Sequence, residues 1–537
     1  MKQEETLENC NDALNKNTDK NFLSNFSALI NSRVNLLYIP NKEEKRLKSF
    51  LASYGKSKGA KILTWDVYEG LVDLVSQDKV ESATDMGAIN ILDHIIDYSK
   101  ELEGLRVVED EDGQTYNGVI FCLLDYHRFI KEDMSPGMER RLKIISELES
   151  IVTTVISAPY YTSTPSTDNI FSMLDFPYPT QGELKDVLWN VTDGVEEFFP
   201  NIKEKTKEQE EILVKSISGL TIPEAELALS KSLVMKKGWD TKTILEEKKQ
   251  IIERSGLLEY HEPKFTIDDI GGMSNMVTWL ERRKDCFSED AKEYGLKTPR
   301  GMLAIGLPGT GKSLVCKAVS DLWQMPLLKL DFGKLFGSLV GESEEKVRQV
   351  LKLAEAVSPC ILWVDELDKS LSGSQSSGAS DGGTTSRVLG TILTWMQEKE
   401  KPVFVAATAN DYKAIPPEFQ RAGRFDEIFF VDLPTEEERI EIFKVILGRK
   451  KLNVDVFNPK ILAGEESEDF SGAEIEKAIE DAMLIGFEDG KRQIENSDIL
   501  QSLSEITPLY RMRKKHFDGM RKWAKENCVL ASRKQNT

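Results

Sequence analysis

Between the apolar run Met302 to Ile305 and the helical run Leu314 to Leu322 stands Gly306-Leu-Pro-Gly-Thr-Gly-Lys-Ser313, the pattern G-x-x-x-x-G-K-[ST]. Strand, glycine-rich loop and helix in that order make a phosphate cradle, because glycines let successive backbone N–H groups turn inward around phosphate oxygens at a helix N-terminus. Gly306, Pro308, Gly309, Thr310, Gly311 and Leu314 frame the loop; Lys312 brings a point charge to the β and γ phosphates, and Ser313 offers a hydroxyl to Mg²⁺. A chain with this segment is expected to build a parallel α/β sheet around it, with ATP and Mg²⁺ as cofactors.

The partners of such a loop follow in order. Ile361-Leu-Trp-Val-Asp365-Glu366 is an apolar strand ending in two carboxylates, the Walker B arrangement, in which Asp365 holds Mg²⁺ and Glu366 polarises the attacking water. Val403-Phe-Val-Ala-Ala-Thr-Ala-Asn410 is a third buried strand whose terminal amide can bridge that water and the γ-phosphate. In Arg421-Ala-Gly-Arg424-Phe-Asp, two arginines beside a glycine turn can project guanidinium groups across a subunit boundary, where planar donors neutralise transition-state charge.

At 537 residues the chain exceeds one ordinary core. The reading divides it into a flexible tail (1–20), an αβ domain (21–235), a helical linker (236–263), a large ATPase subdomain (264–436), a helical lid (437–510) and a basic C-terminal helix or tail (511–537). The first domain shows strand-like runs at Leu36 to Ile39, Val119 to Leu124 and Val152 to Ile156. The second adds Leu327 to Leu330 and Ile428 to Val431 to the three strands already named, a five-strand sheet, and turns wholly helical from Thr435. Ser-Gly-rich sequence between Leu371 and Arg387 reads as a loop.

Against 70 Lys plus Arg stand 90 Asp plus Glu, a formal charge of −20, so nucleic acid is not an expected partner. The basic stretch from Arg511 to Lys534 reads as a solvated helix docked on the body, with a partner-binding or nucleic-acid helix as the alternative. Six scattered cysteines and four isolated histidines make neither a disulfide framework nor a zinc site. No run approaches the roughly 18 apolar residues of a membrane span, and a cytoplasm-like location is expected.

An internal echo joins the halves. Phe176-Pro-Tyr-Pro-Thr-Gln-Gly-Glu-Leu, then Gly219-Leu-Thr-Ile-Pro-Glu-Ala-Glu, parallels Asp432-Leu-Pro-Thr-Glu-Glu-Glu-Arg-Ile, then Asp469-Phe-Ser-Gly-Ala-Glu-Ile-Glu. The repeated order predicts a duplicated fold. The first copy has lost its cradle: after Leu36 to Ile39 it reads Pro40-Asn-Lys-Glu-Glu-Lys-Arg46, without glycine, and Phe121-Cys-Leu-Leu-Asp125-Tyr lacks the following glutamate.

With Asp269-Ile-Gly-Gly272 and Phe470-Ser-Gly-Ala-Glu-Ile, the set resembles a classical AAA ATPase module over roughly residues 264 to 510. Segments such as Leu393-Thr-Trp-Met-Gln-Glu398 and Asp426-Glu-Ile-Phe-Phe-Val-Asp-Leu-Pro434 extend the resemblance along nearly the whole chain, to the AAA family of cyanobacteria and red-algal plastids called hypothetical chloroplast reading frame forty-six. The resemblance implies a P-loop sheet with a helical lid, preceded by a degenerate AAA-like αβ domain. It implies Ile270, Gly271, Gly472 and Ala473 around adenine, Arg421 and Arg424 as fingers reaching a neighbour's nucleotide, and a homo-oligomeric ring, usually a hexamer. It places the chain in bacterial or cyanobacterial cytoplasm or plastid stroma. The expected activity is ATP hydrolysis that remodels a protein partner; the alternative is an ATP-gated assembly or regulatory switch. Ser338-Leu339-Val340 stands where a pore aromatic is usual, with Phe336 just upstream, which weakens polypeptide threading.

Overall fold

Along Gly118–Leu124 every residue is buried, yet successive side chains enter opposite cores, Val119, Phe121 and Leu123 on one face and Ile120, Cys122 and Leu124 on the other. Such a strand needs a layer of helices on each side of its sheet. The computed structural model describes residues 19–76, 80, 86–109, 113, 115–131, 133–254, 256–262, 265–331, 342–369, 381–421 and 423–533. The chain divides into two units, Met1–Ile244 and Leu245–Thr537.

The first unit contains β1 (Leu36–Pro40), β2 (Ala60–Asp66), β3 (Gly70–Asp73), the small ribbon of β4 (Val108–Glu109) and β5 (Thr115–Tyr116), β6 (Gly118–Leu124), β7 (Val152–Ala158) and β8 (Ser172–Met173). Its six-stranded sheet runs β3-β2-β6-β7-β1-β8. The ladders are parallel, Leu36 opposite Thr154 and Ala60 opposite Gly118, except that β3 is antiparallel to β2. The three expected strands are present, and β2, β3 and β8 join them.

In the second unit, β9 (Leu258–His261), β10 (Gly301–Gly306), β11 (Leu327–Leu330), β12 (Cys360–Val364), β13 (Val403–Ala409), β14 (Glu427–Val431) and β15 (Val529–Leu530) form a seven-stranded sheet ordered β15-β14-β10-β13-β12-β11-β9. Met302, Ala304, Ile361, Trp363, Phe404 and Ala406 face one core; Leu303, Ile305, Leu362, Val364, Val405 and Ala407 face the other. Numbering the parallel strands of each unit by order of appearance gives 5-1-4-3-2 in the first and 6-5-1-4-3-2 in the second, where β15 is the added strand, with an antiparallel strand outside strand 2 in each. The expected duplication is therefore a duplication of topology.

The sequence echo has a physical basis in helix capping. Thr180 with Glu183, Thr221 with Glu224, Thr435 with Glu438 and Ser471 with Glu474 each form a reciprocal capping box at the start of a helix. In the second unit those helices, Glu436–Arg449 and Gly472–Glu488, build the lid around Phe443, Ile446, Phe470, Ile475 and Ile479.

Three expectations need correction. The linker range contains β9, which pairs with β11 at the sheet edge, Leu330 opposite Leu258. The C-terminal region is not wholly helical: helix Lys514–Asn527 docks on the body through buried Phe517, Met520 and Ala524, and the chain then adds β15 beside β14. Part of the Ser-Gly stretch is helical, since Asp381–Glu398 is one helix. Residues 371–380, the tail 1–18 and the pore-position residues Phe336, Ser338, Leu339 and Val340 lie outside the described residues. Among the described residues no helix is long and apolar enough to cross a membrane.

Candidate functional site

β10 ends at Gly306 and helix Lys312–Trp323 begins six residues later, so the intervening loop must turn sharply. Gly309 and Gly311 do this at φ +78° and +91°, backbone that side-chain-bearing residues rarely adopt. Gly306 is required by space: a Cβ there would lie 2.0 Å from the carbonyl oxygen of Val431. Thr310 Oγ1 donates to Leu307 O at 2.8 Å, pinning the loop to itself. The Lys312 side chain lies back along the loop, its Nζ donating to the carbonyls of Gly306 at 3.0 Å and Leu307 at 2.5 Å. Burial pulls this ammonium down to about 8, against the nearby carboxylates Asp368, Asp365 and Glu366.

Two strand ends, those of β12 and β13, converge on the loop. Asp365 Oδ1 accepts from Ser313 Oγ at 2.7 Å and from Thr408 Oγ1 at 2.6 Å, tying the loop's helix to β12 and β13. Glu366, at φ +50°, donates its N–H to Thr408 Oγ1 at 3.0 Å, and its carboxylate accepts from Lys369 Nζ at 2.6 and 2.7 Å. Asn410 Nδ2 reaches Glu366 Oε1 at 3.4 Å, while its backbone N–H donates to Asp368 Oδ1 at 3.0 Å. The hydroxyl of Ser313 and carboxylate of Asp365 are hard oxygen donors side by side, a set whose chemistry fits Mg²⁺.

The lid closes the other side. Gly272 N donates to Glu441 Oε2 and Met273 N to Glu438 Oε1, both at 3.0 Å. Ala473 N donates to Gly309 O at 3.0 Å, so the lid helix starts on the cradle itself. A Cβ on Gly271 would meet Ile442 at 2.6 Å, which explains the glycine. Between these elements lies a cavity of about 360 Å³ lined by Ile270, Gly271, Pro308 through Leu314, Glu366, Asn410, Gly472 and Ala473. Its volume is in the range of small-molecule sites.

Thus the structure gathers the expected residues around one cavity, with Gly306 just beneath it and Asp365 reached through Ser313. It does not bring in Arg421 or Arg424. Arg421 is exposed, and the Arg424 guanidinium donates to the Glu418 carbonyl on the turn before β14. Sequence reasoning missed Thr408, Asp368, Lys369, Glu438 and Glu441. Thr408 lies inside the quoted Ala-Thr-Ala-Asn segment, two residues before Asn410; the lid glutamates meet Gly272 and Met273 only through long-range folding.

Residues 302–433 match the ATPase family associated with various cellular activities (AAA). Residues 22–176 match the SpoVK-like AAA ATPase N-terminal domain, and 182–255 the SpoVK-like AAA ATPase second domain. The uncharacterized AAA domain-containing protein ycf46 of Guillardia theta is 35% identical over 95% of this chain and 96% of its own. Its counterpart in Trieres chinensis is 36% identical over 94% and 97%. A cell division cycle protein 48 homolog from Archaeoglobus fulgidus is 32% identical over 48% of this chain and 35% of its own.

Proposed function

The chain belongs to the ycf46 family of AAA domain-containing proteins, and from that premise we propose that it is an ATP hydrolase whose turnover remodels a protein partner. The observation that carries this reading is the single cavity shared by Lys312, Ser313, Glu366 and Asn410, roofed by the lid helix at Gly472. Loop N–H groups and the Lys312 ammonium receive the phosphates; Ile270, Gly271 and Ala473 supply the apolar wall for adenine. Ser313 and Asp365 would hold Mg²⁺, which neutralises phosphate charge when bound. Glu366 orients the attacking water and takes up its proton, and Asn410 fixes the position of both.

Because Arg421 and Arg424 stand away from their own cavity, we assign them to the nucleotide of a neighbouring subunit, in a homo-oligomeric ring, most simply a hexamer. The plastid relatives support a location in stroma or in bacterial cytoplasm. The same domain boundaries are proposed as above, with the end of the linker moved to exclude β9.

A second reading has one observation in its favour. Glu366 is held by Lys369 through both oxygens, an ion pair that must open before the carboxylate can serve water. An ATP-gated switch, slow until a partner or neighbouring subunit releases that pair, uses the same residues. Glu366→Gln separates binding from chemistry: it is expected to keep ATP affinity while turnover drops by about 100-fold or more. Turnover equal to the parent would remove Glu366 from its role. Lys369→Ala divides the two readings, since faster turnover supports the gate and unchanged or slower turnover the constitutive hydrolase.

A further inference from the structure

The cavity between the cradle and the lid carries more charge than phosphate chemistry uses. Besides the polar groups of the cradle and of the strand ends, three ionisable side chains line it, Asp269 from the turn before Ile270 and Arg449 and Glu476 from the two lid helices. Asp269 is already committed, since its Oδ2 accepts from the N–H and the hydroxyl of Thr266 at 2.8 and 3.1 Å. Arg449 is exposed, with its guanidinium 5.9 Å over the ring of Phe265. Glu476 is half-buried. A carboxylate repels the phosphates of any nucleotide in the same cavity, so its presence in the wall calls for a reason.

Helix Gly472–Glu488 sets where that carboxylate stands. At its start Ala473 N donates to Gly309 O at 3.0 Å, which fixes the helix to the cradle. Glu476 follows Ala473 by three residues, so the two share a face of the helix, and the carboxylate lies about one turn farther from the cradle along the axis. The other lid helix, Glu436–Arg449, contributes the apolar residues Ile442, Val445 and Ile446 to the same lining. In a nucleotide whose phosphates rest on the cradle, the sugar comes next and the base after it. Lys450 Nζ lies 3.3 Å from Glu476 Oε1 and also pairs with Glu480, an arrangement that orients the carboxylate and offsets its charge. An ionised carboxylate offers about four acceptor positions and no donor, so beyond Lys450 it has capacity for a hydroxyl.

We propose that Glu476 is a specificity-determining residue of this cavity: its carboxylate accepts a hydrogen bond from a hydroxyl of the ribose and so selects ribonucleotides over their deoxy forms. The assignment rests on ATP occupying the cavity. It does not depend on hydrolysis there. A hydrogen bond to a charged acceptor is stronger than one between neutral groups, and a sugar lacking the hydroxyl leaves the carboxylate desolvated against a C–H group.

The test measures the affinity of the full chain for ATP, 2′-deoxyATP and 3′-deoxyATP by calorimetry in the presence of magnesium. The parent is expected to bind at least one deoxy form about tenfold or more weakly than ATP, and the weaker of the two identifies the hydroxyl. Glu476→Ala, in a helix that alanine suits, is expected to bring the three affinities within about twofold of one another, chiefly by weakening ATP. Glu476→Gln, which keeps the shape and a neutral acceptor, is expected to fall between them. Glu480→Gln removes a carboxylate from the same lysine outside the cavity lining and is expected to keep the parent's ratio. A merely structural role for Glu476 would weaken all three nucleotides alike. Equal affinities in the parent, or a preference for ATP that survives Glu476→Ala, overturns the assignment while leaving the ATP site standing. Failure of all three to bind the parent overturns the ATP reading and the assignment with it.

Discussion

The two sheets of this protein share a core strand order and differ in the turn that follows the first parallel strand. In the second unit that turn is Gly306 to Ser313, and between it and the lid lies a cavity of about 360 Å³. In the first unit the turn runs from Pro40 straight into helix Glu44–Lys58, and Arg46 closes the space. Its guanidinium donates to Glu183 through Nε at 2.7 Å and Nη2 at 3.0 Å, to Glu43 at 3.1 Å and to the Pro177 and Tyr178 carbonyls, over the ring of Phe176 at 4.7 Å. Glu43 in turn accepts from the N–H of Ile222 at 2.7 Å, at the start of another helix.

The difference is instructive because the same capping position does both jobs. Glu183 and Glu438 each stand third in a helix whose cap is a threonine. Glu438 uses its carboxylate to hold the backbone of Met273, which leaves the cradle open to a ligand. Glu183 holds a cation of its own chain. In the first unit a cation of the chain bridges sheet and helices, where the second unit has a cavity lined by its cradle and lid.

The largest way to break this comparison is Lys312→Ala. It is expected to weaken ATP binding by about 100-fold or more, about 3 kcal/mol, read by calorimetry; Arg46→Ala is expected to leave that affinity unchanged. If Arg46→Ala also abolished ATP binding, the two turns would not be separable. Arg46→Ala should instead destabilise the first unit by about 3 kcal/mol, because it strands two largely buried carboxylates. Burial already holds Glu43 above the usual carboxylate range despite Arg46. Without the arginine the folded state retains protons that the unfolded state has lost, so the deficit should grow from pH 5 to pH 8. Differential scanning calorimetry at the two pH values reads both effects.

Smaller changes sharpen the comparison within the second unit. Trp523 stacks on Tyr412 with ring centroids 4.5 Å apart, two residues beyond Asn410, so the C-terminal helix rests on the loop that carries the amide. Trp523→Ala is expected to cost about 1 kcal/mol in stability and to lower turnover several-fold, measured in a coupled ATPase assay. In the lid, Arg492 holds the Asp498 carboxyl below its usual range by hydrogen bonds at 2.8 Å. A carboxyl depressed in the fold adds stability at neutral pH that is lost as pH falls through the depressed value. Asp498→Asn should flatten that acid limb of lid unfolding, the smallest of these effects.

Much of this was legible in sequence, for identifiable reasons. The cradle and acidic strand end are local patterns, and continuous apolar runs such as Val119 to Leu124 announce strands buried on both faces. The paired capping boxes were legible as an echo because capping chemistry is written within four residues. β2 was missed because Lys61 and Thr64 interrupt its apolar run, and β9 because Leu-Glu-Tyr-His alternates polarity as an exposed edge does. Lys369 on Glu366 and Glu441 on Gly272 were not legible: one depends on a rotamer, the other on contact between residues 169 positions apart. Arg46 was visible only as a scattered charge, since its function depends on Glu183, 137 positions away.

The central claim, that the second unit alone hydrolyses ATP and does so with help from a neighbouring subunit, is tested most directly by ATP turnover per chain against protein concentration, with mass followed by light scattering. The account predicts a cooperative rise that coincides with a multi-subunit mass, vanishes in Glu366→Gln and is strongly reduced in Arg424→Ala with ATP affinity unchanged. Turnover per chain that stays constant while the mass changes, or survives in Glu366→Gln at the parent level, would contradict it.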